Sequence, residues 1–122
     1  MFDHIGIPVR DLAGASEFFL RALSPLGVRV LVQDSDAIGL GQGDKTSLWL
    51  VPGKAQAAPL HLAFVADTRA QVDAFHRQAL AAGGRDNGAP GLRPTYHAHY
   101  YAAFVIGPDG HNVEVVCHRA PR

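Results

Sequence analysis

Two runs that begin 57 residues apart follow the same pattern, and this repetition constrains the fold more than any other feature of the chain. The first starts at His4, continues as Ile5-Gly6-Ile7-Pro8-Val9, and passes through Asp11 into Leu12, Ala15, Phe18, Phe19, Ala22 and Leu23 at helical spacing. The second starts at His61, continues as Leu62-Ala63-Phe64-Val65, and passes through Asp67-Thr68 into Val72, Phe75, His76, Ala79 and Leu80. Asp11 suits an N-cap, Pro25 and Gly27 stop the first helix, and Gly83-Gly84 stops the second. Three strand-like runs follow each helix. They are Val28–Val32, Ala37–Leu40 and Ser47–Val51 in the first half, and Arg85–Asn87, Tyr100–Ile106 and Asn112–Cys117 in the second. Pro108-Asp109-Gly110 supplies a tight turn before the last run.

The repeat predicts one domain over residues 1–122, with units of about 1–52 and 59–119 joined by a linker at 53–58. At 122 residues and 48% apolar, the chain is long enough for a real core and too apolar for disorder. Eleven basic residues balance eleven acidic ones, so no basic field marks a nucleic-acid partner. No run reaches the roughly 18 apolar residues of a membrane span, and the N-terminus reads as a strand and not as a signal peptide. The single cysteine, Cys117, fits a reducing compartment, and the expected location is cytoplasmic. The expected partners are a small-molecule substrate and a second copy of the chain, with no nucleic acid and no membrane.

Side chains alternate across a strand. Ile5, Ile7 and Val9 therefore oppose His4 and Gly6, Leu60, Leu62 and Phe64 oppose His61, and Val113, Val115 and Cys117 oppose Glu114. Two imidazoles and a carboxylate on rigid strands make a donor set for one divalent metal with open coordination positions. The fold expected is α+β: two tandem β-α-β-β-β units forming a curved mixed sheet around a concave metal and substrate cleft. The plainer alternatives are core histidines at His4 and His61, and a Glu114 paired with an arginine such as Arg10 or Arg93.

At these residues the chain resembles the vicinal oxygen chelate superfamily, which includes glyoxalase I, extradiol dioxygenases, and fosfomycin and bleomycin resistance proteins. The resemblance rests on His4-Ile5-Gly6-Ile7-Pro8-Val9-Arg10-Asp11-Leu12 leading to Phe18-Phe19, on Leu60-His61-Leu62-Ala63-Phe64, and on Ala103 through Glu114. It implies a divalent metal (Fe, Mn, Ni, Zn or Co) held by His4, His61 and Glu114. Glyoxalase I carries a further glutamate, ligand and base, where Trp49 stands here, which argues against ordinary glyoxalase I chemistry. The Ser-rich potassium loop of the fosfomycin-modifying transferases has no counterpart in Gly91–Tyr101. Extradiol dioxygenases add an outer His and Tyr, which His97, His99 and Tyr100 could supply.

Tyr100, His99 and His97 are thus the candidate acid–base residues, and Trp49 and Phe104 the candidate pocket walls. The function expected is a metal-dependent glyoxalase-like or dioxygenase-like enzyme acting on a small substrate with vicinal oxygens. The alternative is a non-catalytic dimer that binds a drug or other small molecule, as the bleomycin-sequestering proteins do. Small members of the family often complete their sites across two chains, so a homodimer is expected. His76, His111 and His118 read as surface, packing or turn residues, and Cys117 as a packed thiol.

Overall fold

The computed structural model describes residues 1–54 and 58–121, so the centre of the expected linker lies outside the described residues. The elements run β1 (Ile5–Val9), α1 (Leu12–Leu23), a 3₁₀ turn (Ser24–Leu26), β2 (Arg29–Gln33), β3 (Ile38–Gln42) and β4 (Lys45–Pro52). They continue as β5 (His61–Val65), α2 (Arg69–Ala81), β6 (Arg85–Leu92), β7 (Tyr101–Ile106), a second 3₁₀ turn (Pro108–Gly110) and β8 (Asn112–Cys117). Two four-stranded mixed sheets result, ordered β1-β4-β3-β2 and β5-β8-β7-β6, and they do not close on each other. In each, the first strand pairs parallel with the last and the other pairs are antiparallel. No helix among the described residues is long and apolar enough to cross a membrane.

Local chemistry accounts for the helix starts. The Gly14 N–H donates to Asp11 Oδ1 at 3.1 Å. At α2, Thr68 and Gln71 cap each other reciprocally, which satisfies two orphan donors. Each helix lays its apolar stripe on one face of its own sheet. Ala15, Phe18, Phe19, Ala22 and Leu23 meet Ile7, Val9, Leu40, Leu48 and Leu50 in the core, and Val72, Phe75 and Ala79 meet Val105, Val113 and Val115. Phe19 and Phe75 are fully buried, each contributing roughly 2–3 kcal/mol of transfer free energy.

The strand boundaries differ most at β6, which runs past Asn87 through Gly88, Pro90 and Gly91 to Leu92. Those residues signal a break in sequence. Here β6 is an edge strand with irregular register at Asp86/Gly88 and Gly88/Gly91, where a proline and bulges are tolerated. His4 lies just before β1, whose pairing with β4 begins at Ile5 opposite Leu48.

The two helices pack on each other, and one core cluster runs through both units. The Phe18 ring of α1 reaches into the second unit, where a Cβ at Gly107 would lie 2.8 Å from it. A Cβ at Gly84 would overlap the Val105 side chain and lie 2.8 Å from both Ala79 O and Phe18 Cε1. Gly84→Ala is therefore expected to destabilise the chain by about 2 kcal/mol through overpacking. Its melting temperature should fall by roughly 8 °C; an unchanged melt would show that this contact has slack. Polar ties join the units as well. The Arg10 N–H donates to Asp109 Oδ2 at 3.2 Å, and Gln71 Nε2 donates to Pro25 O at 3.3 Å. Asp109 holds a left-handed backbone (φ 58°) to make its turn, a conformation that Asp tolerates better than most residues.

Candidate functional site

The face of the second sheet away from α2 carries the chemistry. One row across it runs Ala63, Glu114, Phe104 and Gly88, on β5, β8, β7 and β6. Ala63 and Gly88 are small, so Glu114 and Phe104 are the large side chains of this row. Glu114 is 2% exposed despite lying on this side, because its carboxylate is covered by two partners. His61 Nε2 lies 2.8 Å from Glu114 Oε1, and the Tyr100 hydroxyl donates to Glu114 Oε2. Neither arginine alternative is realised: Arg10 pairs with Asp109, and no arginine is within ion-pair reach of Glu114 among the described residues.

Tyr100 is the strongly perturbed group. Burial, followed by its hydrogen bond to Glu114 and the nearby carboxylate charge, pushes its hydroxyl up to about 12. At neutral pH it is a donor and not a base. Its ring is also the centre of an aromatic cluster, edge-on to Tyr96 (4.9 Å), His97 (5.2 Å) and His118 (5.3 Å). His97 Nε2 lies 2.7 Å from His118 Nδ1, and the His99 N–H donates to His97 Nδ1 at 3.4 Å. With Nδ1 accepting, His97 carries its proton on Nε2 and donates to His118, a tautomer assigned from this network. His99 enters only through its backbone.

His118 is exposed just past the end of β8, as expected for a surface residue, and it meets His97 because the 93–100 loop folds back through an Arg93 N–H to Tyr100 O bond of 2.7 Å. Cys117 is buried as expected, its thiol 3.6 Å from Asp67 O. His111 is fully buried, with Nδ1 accepting from the Leu60 N–H at 2.9 Å. His76 is largely covered and lies 3.0 Å from the exposed Asp86 carboxylate.

The first sheet holds the other candidates. Trp49 sits between Gly6 of β1 and Gly39 of β3, and its ring covers Gly39, where a Cβ would lie 3.0 Å from Cζ3. His4 precedes β1 and makes a 2.7 Å contact with Asp3, which also takes the Lys45 ammonium at 2.6 Å. Within one chain His4 does not join His61 and Glu114, and no three His, Cys, Asp or Glu side chains converge as a metal set among the described residues. The structure thus brings together His61, Glu114, Tyr100, His97 and Phe104, with the Phe104 ring 6.2 Å from the His61 ring. It places Trp49 on the first sheet and His4 just ahead of that sheet's β1.

Residues 1–115 match the family model of the Glyoxalase/Bleomycin resistance protein/Dioxygenase superfamily. The chain belongs to that superfamily. Solved members share its fold along almost their whole length. A glyoxalase/bleomycin resistance protein from Albidiferax ferrireducens is 26% identical with a TM-score of 0.81, over 98% of this chain and 99% of that one. A lactoylglutathione lyase from Agrobacterium tumefaciens is 19% identical (TM-score 0.69; 96% and 92% covered). The fosfomycin resistance protein FosX from Mesorhizobium loti is 20% identical (TM-score 0.74; 98% and 92% covered). The latter two establish the shared fold alone. No curated protein matches the chain. The superfamily contains enzymes of different chemistry, so membership accounts for the paired units and leaves the reaction to the site residues.

Proposed function

We propose that this superfamily member is a metal-dependent enzyme acting on a small substrate with two neighbouring oxygens, and that its site is completed by a second copy of the chain. The observation that carries this reading is the His61–Glu114 pair, an imidazole nitrogen and a carboxylate oxygen 2.8 Å apart on adjacent strands. A buried carboxylate held this way suits half of a divalent site, whereas three protein donors are the rule for catalytic metals. His4 is the third donor in this reading. In this reading a partner supplying His4, which leads into β1 beside Trp49 of β4, would also supply an aromatic wall opposite Phe104.

A bound metal would act as a Lewis acid on the two substrate oxygens. Iron, manganese, nickel, zinc and cobalt all suit this nitrogen and oxygen set. The chain's own residues then have separable tasks. His61 and Glu114 would hold the ion, and Tyr100 orients Glu114 by donating to its second oxygen, as outer hydrogen bonds do at metal sites. Tyr100 keeps its proton at neutral pH, so it serves as a donor. His97 is the proton carrier next to it, with His118 as its acceptor and His99 steadying its ring through the backbone. Phe104 and Trp49 exclude water from the substrate's apolar part.

The test is elemental analysis of the full chain purified without chelators, beside His61→Ala. About one metal per chain is expected, falling more than tenfold in the variant, and iron would direct assays toward oxygen-dependent ring cleavage. Failure to take up any of the five ions after add-back would overturn the enzyme reading. Small-molecule binding without metal would then support the drug-binding alternative, which the aromatic surface of Tyr96, Tyr100 and Phe104 also suits.

A further inference from the structure

Arg93 follows the end of β6 and turns its guanidinium back over the face that carries Glu114. Nη1 donates to Gly91 O and Nη2 to Ala89 O, both at 2.8 Å, and Cζ lies 5.4 Å from the Phe104 ring centroid. The seat is shaped for it. A Cβ at Gly88 would come within 3.2 Å of Nη2, and one at Gly91 within 3.1 Å of Nη1. Arg10, Arg21 and Arg119 each have a carboxylate within 4.0 Å. Arg93 has none among the described residues, and both oxygens of Glu114 are already taken by His61 and Tyr100.

A guanidinium has five N–H donors, and the two carbonyls leave most of this fork available. Planar carboxylates and tetrahedral phosphorus oxyanions both fit such a fork in a bidentate manner. The Phe104 ring neighbours both groups, 5.4 Å from the Arg93 guanidinium carbon and 6.2 Å from the His61 ring. We infer that Arg93 is a substrate-binding residue that receives an oxyanion (carboxylate or phosphonate) on a small molecule whose neighbouring oxygens lie at His61 and Glu114. The substrate class is then an anionic molecule with its apolar span across Phe104. This inference rests on the reading of the His61–Glu114 site proposed above for where the opposite end of the substrate sits, but the anion seat itself does not require a metal.

The test titrates the metal-free full chain with benzoate, phenylphosphonate and neutral benzamide, following the resonances of Phe104 and Arg93 by NMR. Benzoate or phenylphosphonate should bind about tenfold more tightly than benzamide, and the better of the two identifies the oxyanion. The preference should vanish in Arg93→Gln and persist in weakened form in Arg93→Lys, which keeps the charge and loses the fork; thermal melts of both variants verify folding. Equal affinity for benzoate, phenylphosphonate and benzamide, a preference that survives Arg93→Gln, or no saturable oxyanion binding would each overturn the inference. His61→Ala separates the two readings. Metal loss with the oxyanion preference intact leaves Arg93 as the anion seat, and metal uptake without the preference leaves only the metal site.

Discussion

Mixing His4→Ala chains with Glu114→Ala chains is expected to restore metal binding that neither variant shows alone. In the reading above, each site takes His4 from one copy and His61 with Glu114 from the other. A mixed dimer then contains one site built wholly from intact residues and one lacking both altered donors. Random pairing in a two-fold dimer makes about half the dimers mixed, so about a quarter of all sites recover. The measurement is metal content of the two variants unfolded and refolded together, with each refolded alone as the control. A site closed within one chain gives no recovery at any mixing ratio, which would overturn the shared-site reading. The structure motivates the experiment directly: His4 contacts Asp3 just ahead of β1 in the first unit, while His61 and Glu114 are joined on the second sheet.

The second large effect concerns Tyr100. In the metal-free chain its phenol is expected to ionise near 12, about a hundredfold weaker in acid strength than at its ordinary value of 10.0. Burial is the first cause and Glu114 supplies the next two. An ultraviolet titration should therefore show a late tyrosine step that disappears in Tyr100→Phe. It should shift back toward 10.0 in Glu114→Gln, where the carboxylate charge is gone. Because the folded value lies above the unfolded one, the stability this tyrosine adds is complete below about pH 10 and is lost as pH rises through about 12. A Tyr100 that titrates normally would remove the hydrogen bond to Glu114 from the account of the site. Tyr101 is also raised, through its hydrogen bond to Asp73 on α2, so the assignment depends on the Tyr100→Phe variant.

Much of this architecture was legible from local pattern. Alternation in Leu62-Ala63-Phe64 and Val113-Glu114-Val115 placed His61 and Glu114 on the same side of their strands, and β5 pairing with β8 brought them into contact. The N-cap at Asp11, and the Pro25-to-Gly27 and Gly83-Gly84 breaks after the helices, delimited α1 and α2. These are short-range signals: the period of a strand or helix and the φ preferences of a few residues determine which side chains share a face. Extended β6 was not legible, since Gly88, Pro90 and Gly91 read as a break, and only the edge position of the strand makes them acceptable.

Local pattern alone was thus enough to specify the paired β-α-β-β-β units, the order of their elements and the side of the second sheet that His61 and Glu114 share. Long-range packing is what keeps His4 apart from His61 and Glu114 within the chain, sets Tyr100 over Glu114, and brings His97 to His118. It also decided that Arg93 lies over Phe104 without a counter-charge. The reason is physical. Periodicity specifies orientation within an element, whereas distances between elements depend on packing across the chain, such as Phe18 against Gly84 and Gly107, and on the return of the 93–100 loop through Arg93 and Tyr100.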